Sequence, residues 1–181
     1  MEEDLDLYEK TLESTTIYSG KILNLKHDKI LLPNGQEAMR EIVEHRPGVG
    51  VLPVKGDRMI FVKQFRIAIR SVILEIPAGL MEDGESPDQT AIRELQEEIG
   101  LKPLDLDYYG KIWPTPGCCD EATHIFVATK FEDHPLEQDD DEFIQLVEIP
   151  IRTVRRLYDG GFFTDAKTVS ALGYYFSHCK C

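Results

Sequence analysis

The stretch GLMEDGESPDQTAIRELQEEIGL, residues 79–101, decides how the rest of the chain is to be interpreted. Ser86 is a good helix N-cap, and Pro87 follows it at the first helical position. Gly100 is a natural C-terminal stop. The stretch therefore predicts a glycine-rich loop that carries Glu85, followed by a helix from residue 87 to residue 99.

The predicted helix divides into an apolar face and an acidic edge. Ala91, Ile92, Leu95 and Ile99 recur every three or four residues and are expected to be buried. Three further side chains, Glu94, Glu97 and Glu98, lie together, because Glu94 and Glu98 are i and i+4. Close carboxylates repel one another unless a cation lies between them, and Mg²⁺ prefers such oxygen ligands. We expect this acidic ridge to lie at the polar edge of the helix and to bind one or more cations.

The simpler interpretation of the acidic ridge is a solvated helix face, with Arg93 as local charge balance. That interpretation usually holds for glutamate-rich helices. It gives no reason, however, for a glycine-rich loop with Glu85 placed directly after a strand that ends in Pro77-Ala78-Gly79.

The flanking sequence predicts a mixed α/β fold with a small N-terminal addition. Residues 1–45 read as an antiparallel β appendage, with a turn at Pro33-Asn34-Gly35, and residues 46–181 as the main domain. Short apolar runs predict the strands of that domain, and Pro150–Tyr158 and Ala166–His178 read as helices, the second capped by Asp165. Trp113, in a predicted strand, is expected in the core.

Composition excludes several classes of protein. The 181 residues carry a net charge of −13, which argues against nucleic-acid binding. No apolar run has the length of a membrane span, and the acidic N-terminus does not read as a signal peptide, so a cytoplasmic protein without membrane contact is expected. The four cysteines lack metal-site spacing and read as free thiols.

The stretch resembles the Nudix box at all nine defined positions, from Gly79 to Leu101. The resemblance implies a Nudix fold, an α/β/α sandwich with a mixed sheet, and hydrolysis of a nucleoside diphosphate linked to another group. It implies Glu94, Glu98 and the Ala78 carbonyl as ligands of Mg²⁺, for which Mn²⁺ could substitute. Glu97 would assist these ligands, while Glu85 and Arg93 would orient the loop and the helix.

Segments outside the box are similar to the ADP-ribose pyrophosphatase branch of this family. They are Arg40–His45, Gln64–Arg66, Glu75–Gly79, Thr115–Gly117 with Asp120 and Glu121, Asp139–Phe143 and Asp165–Thr168. The similarity implies that the substrate is ADP-ribose and that the products are AMP and ribose 5-phosphate. It leaves open a related hydrolase, such as one acting on GDP-mannose, and a non-catalytic module that senses ADP-ribose.

The same similarity implies a role for each matching residue. Arg40 would stack on the adenine and Glu41 would bind its edge, while Arg66 would contact the diphosphate. Glu121 would hold the metal-bound diphosphate or its water. Glu142 would act as general base or complete the metal shell, with Asp140 and Asp141 as alternatives on the same loop. For Arg40 and Glu41 a cross-strand surface pair is the simpler interpretation, and for the acidic run a solvated loop. N-terminal strands in this branch pack across a twofold axis, which implies a homodimer.

Overall fold

In the described part of the chain, seven strands, one helix, five strands and two helices follow one another, an order that fits a mixed α/β fold. The computed structural model describes residues 7–138 and 142–178, and these residues form two compact units. The first unit contains the residues up to Arg46 together with Thr115–Glu121, and the second contains Pro47–Pro114 and the residues from Ala122 onward. The sequence boundary after residue 45 left the segment 115–121 with the main domain, whereas the structure groups it with the N-terminal strands.

The first unit is a three-stranded antiparallel sheet in the order β1-β2-β3. Its strands are β1 (Lys10–Ser19), β2 (Leu23–Leu31) and β3 (Glu37–His45). The predicted turn between β2 and β3 contains Gly35, whose φ of 81° is accessible to glycine at little cost. The segment 115–121 is bonded to the end of β3, because the N–H of Val43 donates to the Cys118 carbonyl at 2.8 Å and the N–H of Asp120 donates to the Val43 carbonyl at 3.1 Å.

The second unit is built on a mixed sheet of seven strands. Its main path runs β12-β5-β4-β10-β9, with β6 paired to β5 and β7 paired to β4. Only the β4–β10 pairing along this path is parallel. The elements of the unit are β4 (Gly48–Lys55), β5 (Arg58–Arg66), β6 (Ser71–Glu75), β7 (Ala78–Leu80), α1 (Pro87–Ile99), β8 (Leu101–Pro103), β9 (Asp107–Ile112), β10 (Thr123–Ala128), β11 (Phe131–Asp133), β12 (Ile144–Pro150), α2 (Ile151–Asp159) and α3 (Ala166–His178).

Helices cover both faces of this sheet, so that the unit is the predicted α/β/α sandwich. Successive residues of a strand point to opposite faces. Accordingly, Val49 and Val51 of β4 pack with Leu95 of α1, whereas Leu52 and Val54 pack with Val154 of α2 and Leu172 of α3. None of the helices that the structure describes has the length and apolar character needed to cross a lipid bilayer.

Two predictions of burial are wrong or only partly right. Trp113 lies just beyond β9 and is half exposed, with the ammonium of Lys111 4.4 Å from its ring centroid. Of the four apolar residues predicted on the buried face of α1, Ala91 and Leu95 are fully buried, while Ile92 and Ile99 are only half-buried. The inward face of α1 is instead shared with polar side chains, namely Thr90, Glu94, Gln96 and Glu98.

Candidate active site

The loop and helix of residues 79–101 are fixed by local hydrogen bonds at both ends of α1. Ser86 and Gln89 form a capping box, in which each side chain accepts a hydrogen bond from the other residue's backbone N–H. Gly100 ends the helix in the left-handed conformation, with φ of 73°. These contacts confirm the helix boundaries expected from the sequence and set the direction in which the acidic side chains point.

Glu85 and Arg93 join the loop to the helix. The Nε and Nη2 of Arg93 donate to the two carboxylate oxygens of Glu85 at 2.9 and 3.0 Å, and Nη2 also donates to the Leu80 carbonyl. Glu85 accepts further hydrogen bonds from the N–H of Glu82 and the hydroxyl of Thr90. The hydrogen bonds from Arg93 are the main reason why the pKa of Glu85 falls to about 2. Glu85 is therefore a stable anion that holds the loop in place.

The third nitrogen of Arg93 reaches the acidic edge of the helix. Its Nη1 donates to Glu94 at 2.7 Å and to Glu97 at 2.9 Å. All five donor positions of a guanidinium lie in one plane, so that this single side chain fixes the orientation of three carboxylates. Bonding to Glu85 first, and then to Glu94 and Glu97, raises the pKa of Arg93 above its ordinary value.

Glu94 and Glu98 form what we call the carboxylate pair, and the structure buries it. Their exposed fractions are 7% and 6%, which contradicts the prediction that the acidic ridge lies at a polar edge of α1. Strand β7 lies against both carboxylates, a tertiary contact that the helical periodicity alone does not report. Burial raises the pKa of Glu94 to about 7. Burial and the neighbouring charge of Glu94 raise the pKa of Glu98 to about 9.

Strand β7 brings the backbone of the chain against the carboxylate pair. The N–H of Ala78 donates to Oε2 of Glu98 at 3.1 Å. At Gly79 there is no room for a side chain, because a Cβ atom built there would overlap the carboxylate of Glu94. The sequence Ala78-Gly79 thus forms a narrow cradle in which both carboxylates lie against the backbone.

Two more predicted residues belong to the same neighbourhood. The charge of Glu142 contributes to the raised pKa values of both Glu94 and Glu98. Arg66 acts on Glu98 in the opposite direction, since its positive charge favours the ionised carboxylate. The competing loop carboxylates Asp140 and Asp141 lie outside the described residues.

The carboxylate pair fits a hard divalent cation. In residues 7–138 and 142–178, no three acidic, histidine or cysteine side chains gather as a closed metal shell. Mg²⁺ rarely uses such a shell, because it keeps several waters and binds through one or two carboxylates together with substrate phosphates. Glu94 and Glu98 are oxygen donors with buried, mutually repelling charges, and a cation between them would offset that repulsion.

A buried carboxylate that sequence reasoning missed holds Arg66. Glu75, at the end of β6, is 1% exposed and accepts a hydrogen bond from Nε of Arg66 at 2.7 Å. Its second oxygen bonds to Nζ of Lys167 in α3. Burial alone would lower the pKa of Arg66, but Glu75, Glu98 and Asp165 together leave it raised. The sequence could have indicated that Glu75 has a cationic partner, because a glutamate at the end of an apolar strand is buried and a buried charge needs an opposite charge beside it.

The remaining predicted residues lie in the first unit. Arg40 is bound by Glu9, with Nε and Nη2 donating to its two carboxylate oxygens at 3.1 and 2.7 Å. Glu41 follows Arg40 in β3, so the two side chains point to opposite faces of the sheet. Glu121 ends the loop bonded to β3, and its N–H donates to the sulfur of Cys119 at 3.4 Å.

Comparisons with known proteins agree with the geometry. The NUDIX domain matches residues 44–171, and the N-terminal domain of nucleoside diphosphate sugar hydrolases matches residues 9–43. An ADP-ribose pyrophosphatase of Bacillus subtilis is 39% identical over 171 residues, which are 93% of this chain and 92% of that protein. A methanol dehydrogenase activator of Bacillus methanolicus is 36% identical over 92% of this chain and 91% of its own length.

A solved structure shares the fold over nearly the whole chain. The crystal structure of an ADP compounds hydrolase superposes with a TM-score of 0.86 and 26% identity, covering 94% of both chains. Proteins with this domain generally require a divalent metal ion, which suits the carboxylate pair described above. The domain match covers well over half of the chain and includes every residue of the loop and helix that hold Glu85, Arg93, Glu94, Glu97 and Glu98. The chain belongs to the Nudix hydrolase family.

Proposed function

We propose that the chain hydrolyses the diphosphate bond of ADP-ribose and releases AMP and ribose 5-phosphate. The observation that carries the proposal is the carboxylate pair, buried against the Ala78-Gly79 backbone with the guanidinium of Arg66 nearby. A buried acidic pair attracts a divalent cation, and an arginine beside it attracts the negative charge of a diphosphate. The 39% identity to an ADP-ribose pyrophosphatase supports the choice of substrate.

Mg²⁺ is the proposed metal ion, with Mn²⁺ able to substitute for it. Glu94, Glu98 and the carbonyl of Ala78 would hold it, since all three present oxygen atoms. Such an ion polarises phosphoryl oxygens and lowers the pKa of an attacking water. The N–H of Ala78 orients the Glu98 carboxylate, and the Nη1 of Arg93 orients that of Glu94.

Four residues would complete the catalytic machinery around the carboxylate pair. Glu142, whose charge acts on both members of the pair, would accept the proton of the attacking water or complete the metal shell. Glu97 would assist the metal ligands, being bound to the same nitrogen of Arg93 as Glu94. Glu85 and Arg93 would hold the loop in its orientation relative to the helix.

Four further residues would contact the substrate. Arg66 would bind the diphosphate, because its exposed nitrogens form the fork that phosphate oxygens match. In the N-terminal unit, Arg40 would stack on the adenine and Glu41 would accept hydrogen bonds from the base edge. Glu121 would hold the metal-bound diphosphate or its water.

We also propose that the protein is a homodimer and that it acts in the cytoplasm. The dimer proposal rests on β1, which is exposed along its whole length and carries exposed apolar side chains at Leu12, Ile17 and Tyr18. A long exposed edge strand with apolar side chains tends to pair with another chain. Residues 1–45 would then be a dimerisation appendage and residues 46–181 the hydrolase domain.

A substrate panel tests the proposed function. Purified protein is incubated with Mg²⁺ and ADP-ribose, GDP-mannose or other nucleoside diphosphate sugars, and the products are separated and quantified by chromatography. We expect ADP-ribose to have the highest kcat/KM and to yield AMP and ribose 5-phosphate in equal amounts. Turnover of ADP-ribose no faster than that of GDP-mannose would contradict the assignment, and an absence of turnover with every substrate would favour a sensing module.

A further inference from the structure

The buried carboxylate of Glu75 is divided between two cations. Its Oε1 accepts the hydrogen bond from Nε of Arg66 at 2.7 Å, and its Oε2 is bound to Nζ of Lys167. Arginine and carboxylate groups often pair through two parallel hydrogen bonds. Here the second oxygen is bound to Lys167, and Arg66 binds Glu75 through Nε alone.

Lys167 is itself held in place by its surroundings. Its Nζ donates to Asp165 at 3.0 Å, and its side chain is 15% exposed. Its aliphatic stem passes over β4 at Gly50, where an added Cβ would contact Cδ of Lys167 at 3.5 Å. Asp165 also caps α3 by accepting from the N–H of Thr168, and Thr168 accepts from the N–H of Ile76. The lysine therefore lies at the start of a helix that is hydrogen-bonded to Ile76, two residues before Ala78.

The single bond to Glu75 leaves the outer part of the Arg66 guanidinium available. Within the described residues, neither Nη1 nor Nη2 of Arg66 donates a hydrogen bond to the protein. The side chain is 40% exposed, while that of Glu75 is 1% exposed. The two nitrogens are thus the outward-facing donors of a guanidinium whose inner side is anchored.

We propose that Lys167 is a positioning residue for substrate binding, which acts by keeping Arg66 in a one-bond pair with Glu75. This proposal rests on the proposed contact between Arg66 and the diphosphate. Without Lys167, Oε2 of Glu75 becomes free, and one Nη of Arg66 turns inward to bind it. The ligand then loses a donor of a charge-assisted hydrogen bond, so that its affinity falls while the metal-bound chemistry is unchanged.

The test compares KM with kcat in Lys167→Met, which removes the charge and keeps most of the stem. We expect KM for ADP-ribose to rise about ten-fold or more, because a hydrogen bond between charged groups contributes on that order, and kcat to change less than about three-fold. Lys167→Arg keeps a donor to Oε2 and should restore most of the lost affinity. Lys102→Met is the matched control, because it removes the surface pair with Glu132 on β8 and β11 and should leave KM unchanged.

A purely structural role of Lys167 predicts a different result. Loss of one partner of a buried ion pair is destabilising, so the melting temperature of Lys167→Met should fall. If the melting temperature falls but KM of the folded fraction equals that of the wild type, the proposal is wrong. If Lys167→Met does not fold, the double variant Glu75→Gln, Lys167→Met removes both buried charges. The amide of this variant offers Arg66 a single acceptor oxygen, so the two-bond pair cannot form and the proposal expects KM within about three-fold of the wild type. A KM raised about ten-fold or more would overturn it.

Arg66→Met separates this proposal from the proposed function. If Arg66→Met leaves KM unchanged, Arg66 does not bind the diphosphate, and the proposed positioning role of Lys167 is then also wrong. If Arg66→Met raises KM and Lys167→Met does not, only the positioning role is wrong. If both are right, adding Lys167→Met to Arg66→Met should raise KM no further, since the two residues act through one contact.

Discussion

Gly79 lies so close to Glu94 that any side chain at position 79 would overlap the Glu94 carboxylate. The backbone of Gly79 is in an ordinary extended strand, so the absence of a Cβ matters for space and not for conformation. The carboxylate is also held by Nη1 of Arg93. The glycine therefore defines where a proposed metal ligand lies.

Gly79→Ala should weaken metal binding more than it weakens the fold. The end of the Glu94 side chain can move aside, so we expect a melting temperature without metal within about 5 °C of the wild type. The Mg²⁺ concentration for half-maximal activity should rise about ten-fold, because the ligand is displaced. Gly160→Ala, in the segment after α2, is the control and should leave the metal dependence unchanged. An unchanged Mg²⁺ requirement in Gly79→Ala would contradict the claim that Gly79 sets the position of Glu94 as a metal ligand.

Glu98→Gln should abolish catalysis without unfolding the protein. The variant removes one charged ligand of the proposed ion, and we expect kcat to fall by about two orders of magnitude or more. Burial disfavours the charged form of Glu98, so a neutral amide of the same shape should leave the melting temperature unchanged or raise it. Glu148→Gln, on the exposed side of β12, should retain full activity. Full activity in Glu98→Gln would refute the assignment of the site.

Glu85 should make the stability of the protein depend on acid pH. Its pKa is about 2 in the folded chain and 4.5 ordinarily, so the unfolded state takes up a proton first as the pH falls. The stability that Glu85 contributes is fully present above about pH 5 and is lost progressively toward pH 2. Denaturant unfolding of the wild type and Glu85→Gln over this range should show a difference in free energy that shrinks as the pH falls. A constant difference would contradict the lowered pKa.

The proposed dimer should be visible in solution and should depend on β1. Size-exclusion chromatography with light scattering at micromolar concentration should give a mass near twice the 20.7 kDa of one chain. Ile17→Asp places a charge among the exposed apolar side chains of β1 and should yield monomers. Leu104→Asp, at an exposed leucine of the second unit, is the matched control and should stay dimeric. A monomeric wild type would refute the proposal.

Short-range chemistry made α1 and the hairpin between β2 and β3 predictable from the sequence, whereas the sandwich was expected from the resemblance to the Nudix family. Ser86, Pro87 and Gly100 set the two ends of α1, and the turn at Gly35 sets the hairpin between β2 and β3. The three-residue strands β7, β8 and β11 could not be predicted in this way. They are strands only because distant segments pair with them, as β4 does with β7.

Burial of charge was the other property that the sequence did not reveal. Helical periodicity placed Glu94 and Glu98 on one face of α1, but whether that face meets solvent depends on β7 and on the sheet. The partner of Glu75 could not be predicted either, because Lys167 lies 92 residues further along the chain. Trp113 shows the reverse error: it was expected in the core, but β9 ends at Ile112 and the ring of Trp113 is half exposed.

The most direct test of the central claim is the position of the metal and the diphosphate in a crystal. The protein would be crystallised with Mn²⁺ and a non-hydrolysable analogue of ADP-ribose, and the metal located by its anomalous scattering. We expect an anomalous peak between the carboxylates of Glu94 and Glu98, with the diphosphate bound by the outer nitrogens of Arg66. A metal bound elsewhere, or a diphosphate that does not contact Arg66, would contradict it.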